Sequence, residues 1–297
     1  MCIRDRPWRR RQTALAVRAG RAHFAGMSSI AHLPHRGVLA LTGPERVPFL
    51  NGLVSNDVAR AGPGQAVWAA LLTPQGKYLV DFFILSDGEQ LLLDMPRAEI
   101  PALAQKLRRM KLRSAVEIED VSADLHVYAV WGGRPPQIPL TAADPRLPEA
   151  GYRCLSEEMI AANATPEDYA AHRIGLGLPD GPPDLEPEKS LLLEAGFEEL
   201  GGVDFEKGCY MGQELTARTK YRGLIKRRLL PVRLATPGLP PGTPILAEGQ
   251  EVGTLRSSAG DLALATLRLD ALNKALEADG ARVTPLPMSW IRLPSSS

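Results

Sequence analysis

Apolar runs separated by turn sequences dominate the first third of the chain. Residues 38–41, 68–72, 78–85 and 91–94 are rich in large apolar side chains, and each run has the length of a strand. Thr-Pro-Gln-Gly and Ser-Asp-Gly-Glu separate the last three runs. Because such segments are typical of tight turns, the pattern predicts an antiparallel meander.

Two later segments have the features of helices. Residues 97–112 carry apolar side chains at every third or fourth position, with basic side chains opposite them. Thr-Pro-Glu-Asp at 165–168 is typical of a helix start, and Gly175 of a helix end. Residues 116–118 and 125–131 predict further strands. Since helices and strands interleave without a regular βαβ repeat, the pattern favours an α+β fold.

Short apolar segments with turns rich in Pro and Gly fill the last quarter of the chain. Residues 229–234, 245–247, 251–256 and 262–269 predict the strands of a small β-barrel or sandwich. Residues 132–151 are rich in Pro and Gly and predict a connection or an insertion between two halves. We therefore expect an N-terminal α+β domain at 27–140, a second α+β domain at 141–223 and a C-terminal β-barrel domain at 224–297.

Composition narrows the class of protein. The 297 residues are 44% hydrophobic and 23% charged, which is ordinary for a soluble globular protein. No apolar run approaches the roughly 18 residues that a membrane helix needs. The three cysteines, at 2, 154 and 209, form no CxxC pair, which argues against a structural zinc site or a self-contained four-cysteine cluster. A reducing compartment fits this usage.

The first 26 residues differ from the rest of the chain. They hold seven Arg and one acid, whereas the remainder holds 28 basic and 33 acidic residues. The segment has the composition of a mitochondrial transit peptide or of a disordered basic arm. Its opening MCIRDR favours a third interpretation, a non-native leader with the true start at Met27. On that interpretation we expect a bacterial cytoplasmic protein, and a mitochondrial matrix protein if the leader is a genuine transit peptide.

One thiol stands in the most distinctive polar segment. Cys209 lies between Gly208 and Gly212, just ahead of a predicted helix that Gly223 would end in a left-handed cap. A helix N-terminus and the ammonium of Lys207 both favour thiolate over thiol. The alternative is that Cys209 is a buried small hydrophobic residue. The residues alone leave both interpretations open.

The run KGCYMGQELTAR, continued by TKYRGLIKRR, resembles the signature of the YgfZ-type folate-binding proteins. These relatives of the glycine-cleavage aminomethyltransferase act in iron–sulfur protein maturation, and the form here is most similar to the alphaproteobacterial and mitochondrial branch. The resemblance implies intertwined α/β units around a central cavity, closed by a C-terminal β-barrel.

The same resemblance implies a function and a set of residues. It implies a tetrahydrofolate-binding factor that assists assembly or repair of iron–sulfur clusters, with client or carrier proteins that include tRNA-modifying enzymes. Cys209 would be the functional thiol and a transient cluster ligand, and Lys207 its tuning charge. Gln213, Glu214 and Arg218 would shape the site. We expect an accessory factor more than an enzyme with its own turnover.

Asp81 interrupts an apolar strand and has two interpretations. Strand alternation places it on a solvated face. The resemblance instead aligns it with the catalytic aspartate region of the aminomethyltransferase, where it would bind folate. That enzyme has an adjacent Asp pair there, whereas this chain has Val80 and Asp81. A folate-dependent aminomethyl or one-carbon transferase that uses Asp81 is therefore the alternative function.

Residues 215–247 contain no acid and predict a local positive surface. The cations are Arg218, Lys220, Arg222, Lys226, Arg227, Arg228 and Arg233. Such a surface suits the glutamate tail of a folate or an acidic partner, or it is simply solvated. Tyr221 is the single aromatic residue of the segment, which argues against direct RNA binding.

Overall fold

The structure, a computed structural model, describes residues 28–223 and 225–293. The predicted leader at 1–26 lies outside these residues. The described strands are β1 (Ser29–His32), β2 (Arg36–Thr42), β3 (Val67–Leu72), β4 (Tyr78–Ser86), β5 (Leu91–Pro96), β6 (Glu117–Asp120), β7 (His126–Trp131), β8 (Leu140–Ala143), β9 (Tyr152–Ser156), β10 (Arg227–Leu234), β11 (Pro244–Ala247), β12 (Gln250–Ala259), β13 (Leu262–Arg268), β14 (Leu276–Ala278) and β15 (Ala281–Pro285). The described α-helices are α1 (Arg46–Asn51), α2 (Ile100–Met110), α3 (Pro166–Gly175) and α4 (Gln213–Tyr221).

Two antiparallel sheets form the first two-thirds of the molecule. The five-stranded sheet has the order β3-β4-β5-β2-β6, and its first three strands are the predicted meander. The four-stranded sheet has the order β1-β7-β9-β8. It takes β1 and β7 from the predicted first domain and β8 and β9 from the second, so the two units are intertwined. Residues 132–151, predicted as a connection, contain β8.

Side chains that alternate along β4 belong to two separate hydrophobic cores. Phe83 lies in the layer between the two sheets, whereas Phe82 lies in the layer between the five-stranded sheet and α1 and α2. Both rings are buried, and full burial of such a ring contributes about 1.5–3 kcal/mol. A register shift between Leu71 and Leu72 turns Tyr78 toward the layer between the sheets as well.

The C-terminal strands close into a barrel of order β10-β13-β12-β11-β14-β15. Its interior is filled by a third core of aliphatic side chains such as Val232, Leu255 and Leu267. The predicted β-barrel and α+β class are therefore confirmed. Helix α3 also begins as predicted, because the Thr165 hydroxyl and the Asp168 carboxylate cap each other's backbone N–H groups.

Candidate functional site

Cys209 is exposed, at the tip of a loop that leads into α4. Gly212 caps the N-terminus of α4 with a φ of 81°, and Gly223 follows its C-terminus with a φ of 59°. Both are left-handed conformations that glycine adopts without strain. The predicted helix and its two glycine positions are confirmed, and the alternative that Cys209 is a buried hydrophobic residue is wrong.

The two residues after Cys209 fix the loop to two different cores. Tyr210 is buried in the layer between the sheets, and Met211 packs against the core on the helical side. Gly212 lies so close to the β3–β4 turn that an added Cβ would approach the Thr73 carbonyl oxygen to 2.4 Å. The chain after Cys209 is therefore held by packing, while the thiol faces solvent.

Polar contacts hold the loop before Cys209. The Asp204 carboxylate accepts the backbone N–H groups of Glu206 and Lys207, at 2.7 and 3.1 Å, and pairs with Arg60 at 2.7 Å. The Asp204 N–H donates to the Ser55 carbonyl oxygen at 3.0 Å. These bonds fix the loop to the segment that follows α1.

Lys207 bonds to the backbone and not to the thiol. Its Nζ donates to the carbonyl oxygens of Asn51, at 2.5 Å, and Val54, at 3.1 Å, and lies 5.0 Å from the centre of the Tyr210 ring. Burial lowers the pKa of Lys207, and the charges of Asp57 and Asp204 oppose that shift. The observed geometry makes Lys207 a clamp on the loop; its predicted effect on Cys209 stays a prediction.

The three other residues predicted at this site have different surroundings. The Gln213 Oε1 accepts the Tyr210 N–H at 3.0 Å and so closes the turn before α4. Glu214 and Arg218 are exposed on the outer face of α4. Neither bonds to Asp81, so the structure does not assemble these predicted folate contacts into one site.

Asp81 is buried in the layer between the sheets, with 3% of its surface exposed. Its Oδ2 accepts the Trp68 Nε1–H at 2.9 Å, and its Oδ1 accepts the Tyr78 hydroxyl at 2.7 Å. Burial, with a smaller effect of the Asp180 charge, raises the pKa of Asp81. The alternative that strand alternation exposes Asp81 is wrong.

Arginines and aspartates that the sequence interpretation missed surround this acid. The guanidinium groups of Arg153, Arg146 and Arg36 lie over the Phe83 ring, 4.2, 4.7 and 5.6 Å from its centre. Asp94 binds two of them, because it pairs with Arg36 at 2.5 Å and with Arg153 at 3.4 Å. The sequence contained a signal for all four residues, because each of these arginines and Asp94 is a charged residue within or next to an apolar strand.

The network extends to α3 and the barrel. Asp180 pairs with Arg36 at 2.6 Å, and Arg173 of α3 pairs with Asp184 at 2.6 Å. Asp184 also accepts the hydroxyl of Ser257 in β12. The nearby Arg36 and Arg173 charges hold the pKa of Asp180 well below its usual range despite burial. The network therefore connects the two sheets to the barrel.

The residues at Asp81, as they stand, do not fit a pterin. Both carboxylate oxygens accept hydrogen bonds from protein groups, and the face of Trp68 is stacked on Phe197 with 3.9 Å between ring centres. A pterin that hydrogen-bonded to Asp81 would have to displace these groups. We therefore derive no chemical step through folate.

Within the described residues, no group of three or more His, Cys, Asp or Glu is placed to hold a metal ion. The other described thiol, Cys154, is fully buried, and burial raises its pKa to about 11. A neutral buried thiol is a poor ligand and a poor nucleophile. In this part of the chain, Cys209 is thus the thiol available to a partner. None of the described helices has the length and apolar character of a membrane span.

The predicted positive surface is smaller than the sequence indicated. Three of its seven cations, Lys220, Arg228 and Arg233, form ion pairs at 3.0, 2.6 and 3.5 Å with acids of other segments, namely Glu198, Glu199 and Asp261. Arg228 is also buried. The other four cations are exposed.

Comparisons with known proteins agree with this architecture. A family model described as the CAF17 C-terminal beta-barrel domain matches residues 226–293. The glycine cleavage system aminomethyltransferase T from Bartonella henselae has a similar structure, with a TM-score of 0.65 at 13% identity over 89% of this chain and 86% of that one. That likeness confirms the predicted aminomethyltransferase-like fold.

Three sequence relatives share the name of one assembly factor. The iron-sulfur cluster assembly factor IBA57, mitochondrial, of Mus musculus is 32% identical over 87% of this chain and 84% of that protein. The Homo sapiens protein of the same name is 32% identical over 84% of this chain and 81% of that protein. The homolog from Mycosarcoma maydis is 38% identical, and the match covers 71% of this chain but 59% of that relative.

Proposed function

The chain belongs to the family of the iron-sulfur cluster assembly factor IBA57, and from that membership we propose that it assists assembly or repair of iron–sulfur clusters in other proteins through Cys209. One observation supports the proposal above all: the thiol of Cys209 is exposed, whereas the backbone of its loop is fixed by packing and hydrogen bonds. A ligand that must reach a second protein has to be accessible, and a complex costs less conformational entropy when the ligand is already positioned.

The chemistry requires a partner. Cys209 binds iron as a thiolate, so its proton passes to solvent when the iron–sulfur bond forms. Iron–sulfur clusters are usually held by four cysteine thiolates, and one thiolate cannot hold a cluster by itself. The cluster is therefore a substrate shared with a client or carrier protein that supplies the remaining ligands. Tyr210, Met211 and Lys207 contribute by holding the loop while the partner binds.

The clients and the compartment are part of the proposal. Radical enzymes that thiomethylate tRNA are the clients that the family resemblance implies. The relatives are named mitochondrial proteins, which agrees with a mitochondrial matrix protein. The bacterial cytoplasm stays the prediction if the leader is non-native.

A folate-dependent one-carbon transferase is the second candidate, and the buried Asp81 with its raised pKa is the observation in its favour. Tetrahydrofolate binding stays a prediction, because binding at Asp81 requires Trp68 or Tyr78 to move. Calorimetry tests tetrahydrofolate binding. Heat of binding that is present in the wild type and absent in Asp81→Asn would support binding at Asp81, and no heat in the wild type would rule out folate binding. Trp68 fluorescence reports the same displacement.

The deciding experiment is anaerobic cluster transfer to candidate apo-enzymes, with and without tetrahydrofolate. Cys209→Ser is expected to abolish transfer, since a hydroxyl does not replace a thiolate toward iron. Cys154→Ala is the matched control, because it removes the buried neutral thiol and should leave transfer unchanged. One-carbon transfer from tetrahydrofolate that survives Cys209→Ser but fails with Asp81→Asn would favour the transferase.

A further inference from the structure

The exposed residues of α4 form one stripe that begins beside the Cys209 loop. Glu214, Arg218, Tyr221 and Arg222 are all exposed, and their spacing of four, seven and eight residues places them on one face of the helix. Thr216 and Thr219 are buried on the opposite face. We call Arg218, Tyr221 and Arg222 the basic stripe.

The aromatic residue of this stripe has an unusual exposure. Tyr221 is 77% exposed, although it is a large side chain with an apolar ring. Tyr and Arg are the residue types that most often dominate the binding energy of protein interfaces. An exposed Tyr between two exposed Arg residues is therefore typical of a docking surface.

The two cations of the stripe form no ion pair with the acids of other described segments. Arg218 and Arg222 share their face of the helix with one acid, Glu214, four residues before Arg218. The neighbouring Lys220 and Arg228 are instead paired with Glu198 and Glu199, and the charge of Arg227 acts on the carboxylate of Glu194. Complementary charge across an interface steers association and selects the partner. A surface that carries unpaired cations therefore selects an acidic partner.

The size of a protein interface connects the stripe to Cys209. A partner that shares a cluster with Cys209 must touch the loop. A standard interface covers about 800 Å² per partner, a disc of about 16 Å radius. Helix α4 has nine residues, a length of about 13 Å. The footprint of a partner centred on α4 is therefore large enough to include both Cys209 and Tyr221.

We propose that the basic stripe is the docking surface for an acidic region of the protein that supplies the other cluster ligands. This inference rests on the proposed function. The cluster chemistry favours a protein over RNA, because only a protein supplies the cysteine thiolates that complete the cluster. Tyr221 is also a single aromatic side chain, whereas proteins that bind single-stranded RNA use several.

The test is complementation of a bacterial strain that lacks its own family member, with the activity of its tRNA-thiomethylating radical enzyme as the readout. Arg218→Glu with Arg222→Glu is expected to lower the restored activity about tenfold or more, because like charges then face each other across the interface. Tyr221→Ala is expected to lower it less. Arg109→Glu with Arg113→Glu is the matched control, since it makes the same charge change at exposed residues outside the stripe and should restore wild-type activity.

The purified variants separate docking from folding and from thiol chemistry. The stripe variant should melt close to the control pair, since both place acids near a helix C-terminus, and should keep the wild-type rate of Cys209 alkylation by iodoacetamide. Full activity of the stripe variant, or an equal loss in the control pair, would overturn the inference. Binding of labelled tRNA by the wild-type protein that is lost in the stripe variant would overturn the protein-docking inference in favour of an RNA-binding surface. Full activity of Cys209→Ser would instead refute the proposed function itself.

Discussion

Cys209 and Asp81 are the two reactive side chains that the sequence singled out, and their surroundings are opposite. Cys209 is exposed on a loop whose backbone is fixed, and no side chain of the described part of the chain bonds to it. Asp81 is buried, and its two carboxylate oxygens accept hydrogen bonds from Trp68 and Tyr78. The comparison shows that chemistry with an external partner is possible where the backbone is rigid and the side chain free. A buried acid whose partners are internal contributes first to the fold.

The largest expected effect concerns the buried network around Asp81. Asp94→Ala should lower the free energy of unfolding by about 3–5 kcal/mol, because it leaves Arg36 and Arg153 buried without their shared counterion. Urea denaturation measures it. Asp261→Ala is the control, since it breaks an exposed ion pair with Arg233 and should change stability little. Equal stability of both variants would show that the network does not hold the sheets together.

The next effect concerns the acid itself. Tyr78→Phe should lower the free energy of unfolding by about 1–3 kcal/mol, because it removes one of the two donors to the buried Asp81 carboxylate. Tyr221→Phe removes the same hydroxyl from an exposed ring and should leave the urea midpoint unchanged. A Tyr78→Phe protein as stable as the wild type would mean that Asp81 is satisfied in some other way.

A third prediction tests whether Lys207 acts on Cys209 beyond clamping the loop. Lys207→Met keeps most of the aliphatic stem and removes the charge, so alkylation of Cys209 by iodoacetamide near neutral pH should slow several-fold. Arg60→Met is the control, because it removes a cation that holds the same loop through Asp204. An unchanged alkylation rate in Lys207→Met would leave Lys207 with the clamping role alone.

The smallest effect is a difference in pH dependence. Because the pKa of Asp81 is raised in the folded protein, its contribution to stability is present at low pH and is lost as pH rises through the folded pKa. The stability of Asp81→Asn relative to the wild type should therefore increase as pH rises above about 4, the ordinary pKa of Asp. Asp144 and Asp180 have lowered pKa values, so both proteins should lose stability below about pH 4. A constant difference between the two proteins would contradict the raised pKa.

Much of the local structure was predictable from the sequence. The β3–β4–β5 meander, the start of α3, four of the six barrel strands and the glycine positions around α4 all follow from residue patterns over a few positions. The last two barrel strands, β14 and β15, were not predicted. Such patterns act through backbone conformation, which depends on neighbouring residues: turn residues set φ and ψ, and alternation sets which face of a strand is buried. The turn at Cys209 belongs to this group, because Gly208 and Gly212 marked it, whereas the residues alone left the exposure of the thiol open.

Tertiary structure alone decided which side chains meet. Arg36 and Asp180 are 144 positions apart, and Lys207 reaches the Asn51 carbonyl across 156 positions. Arg228 stands among exposed cations in the sequence, yet it is buried because Glu199 and the Leu193 carbonyl oxygen receive it. Local patterns contain no information about partners at such separations. Whether a charged side chain is buried depends on those partners, because the loss of hydration is costly unless an opposite charge or a hydrogen-bonding group compensates for it.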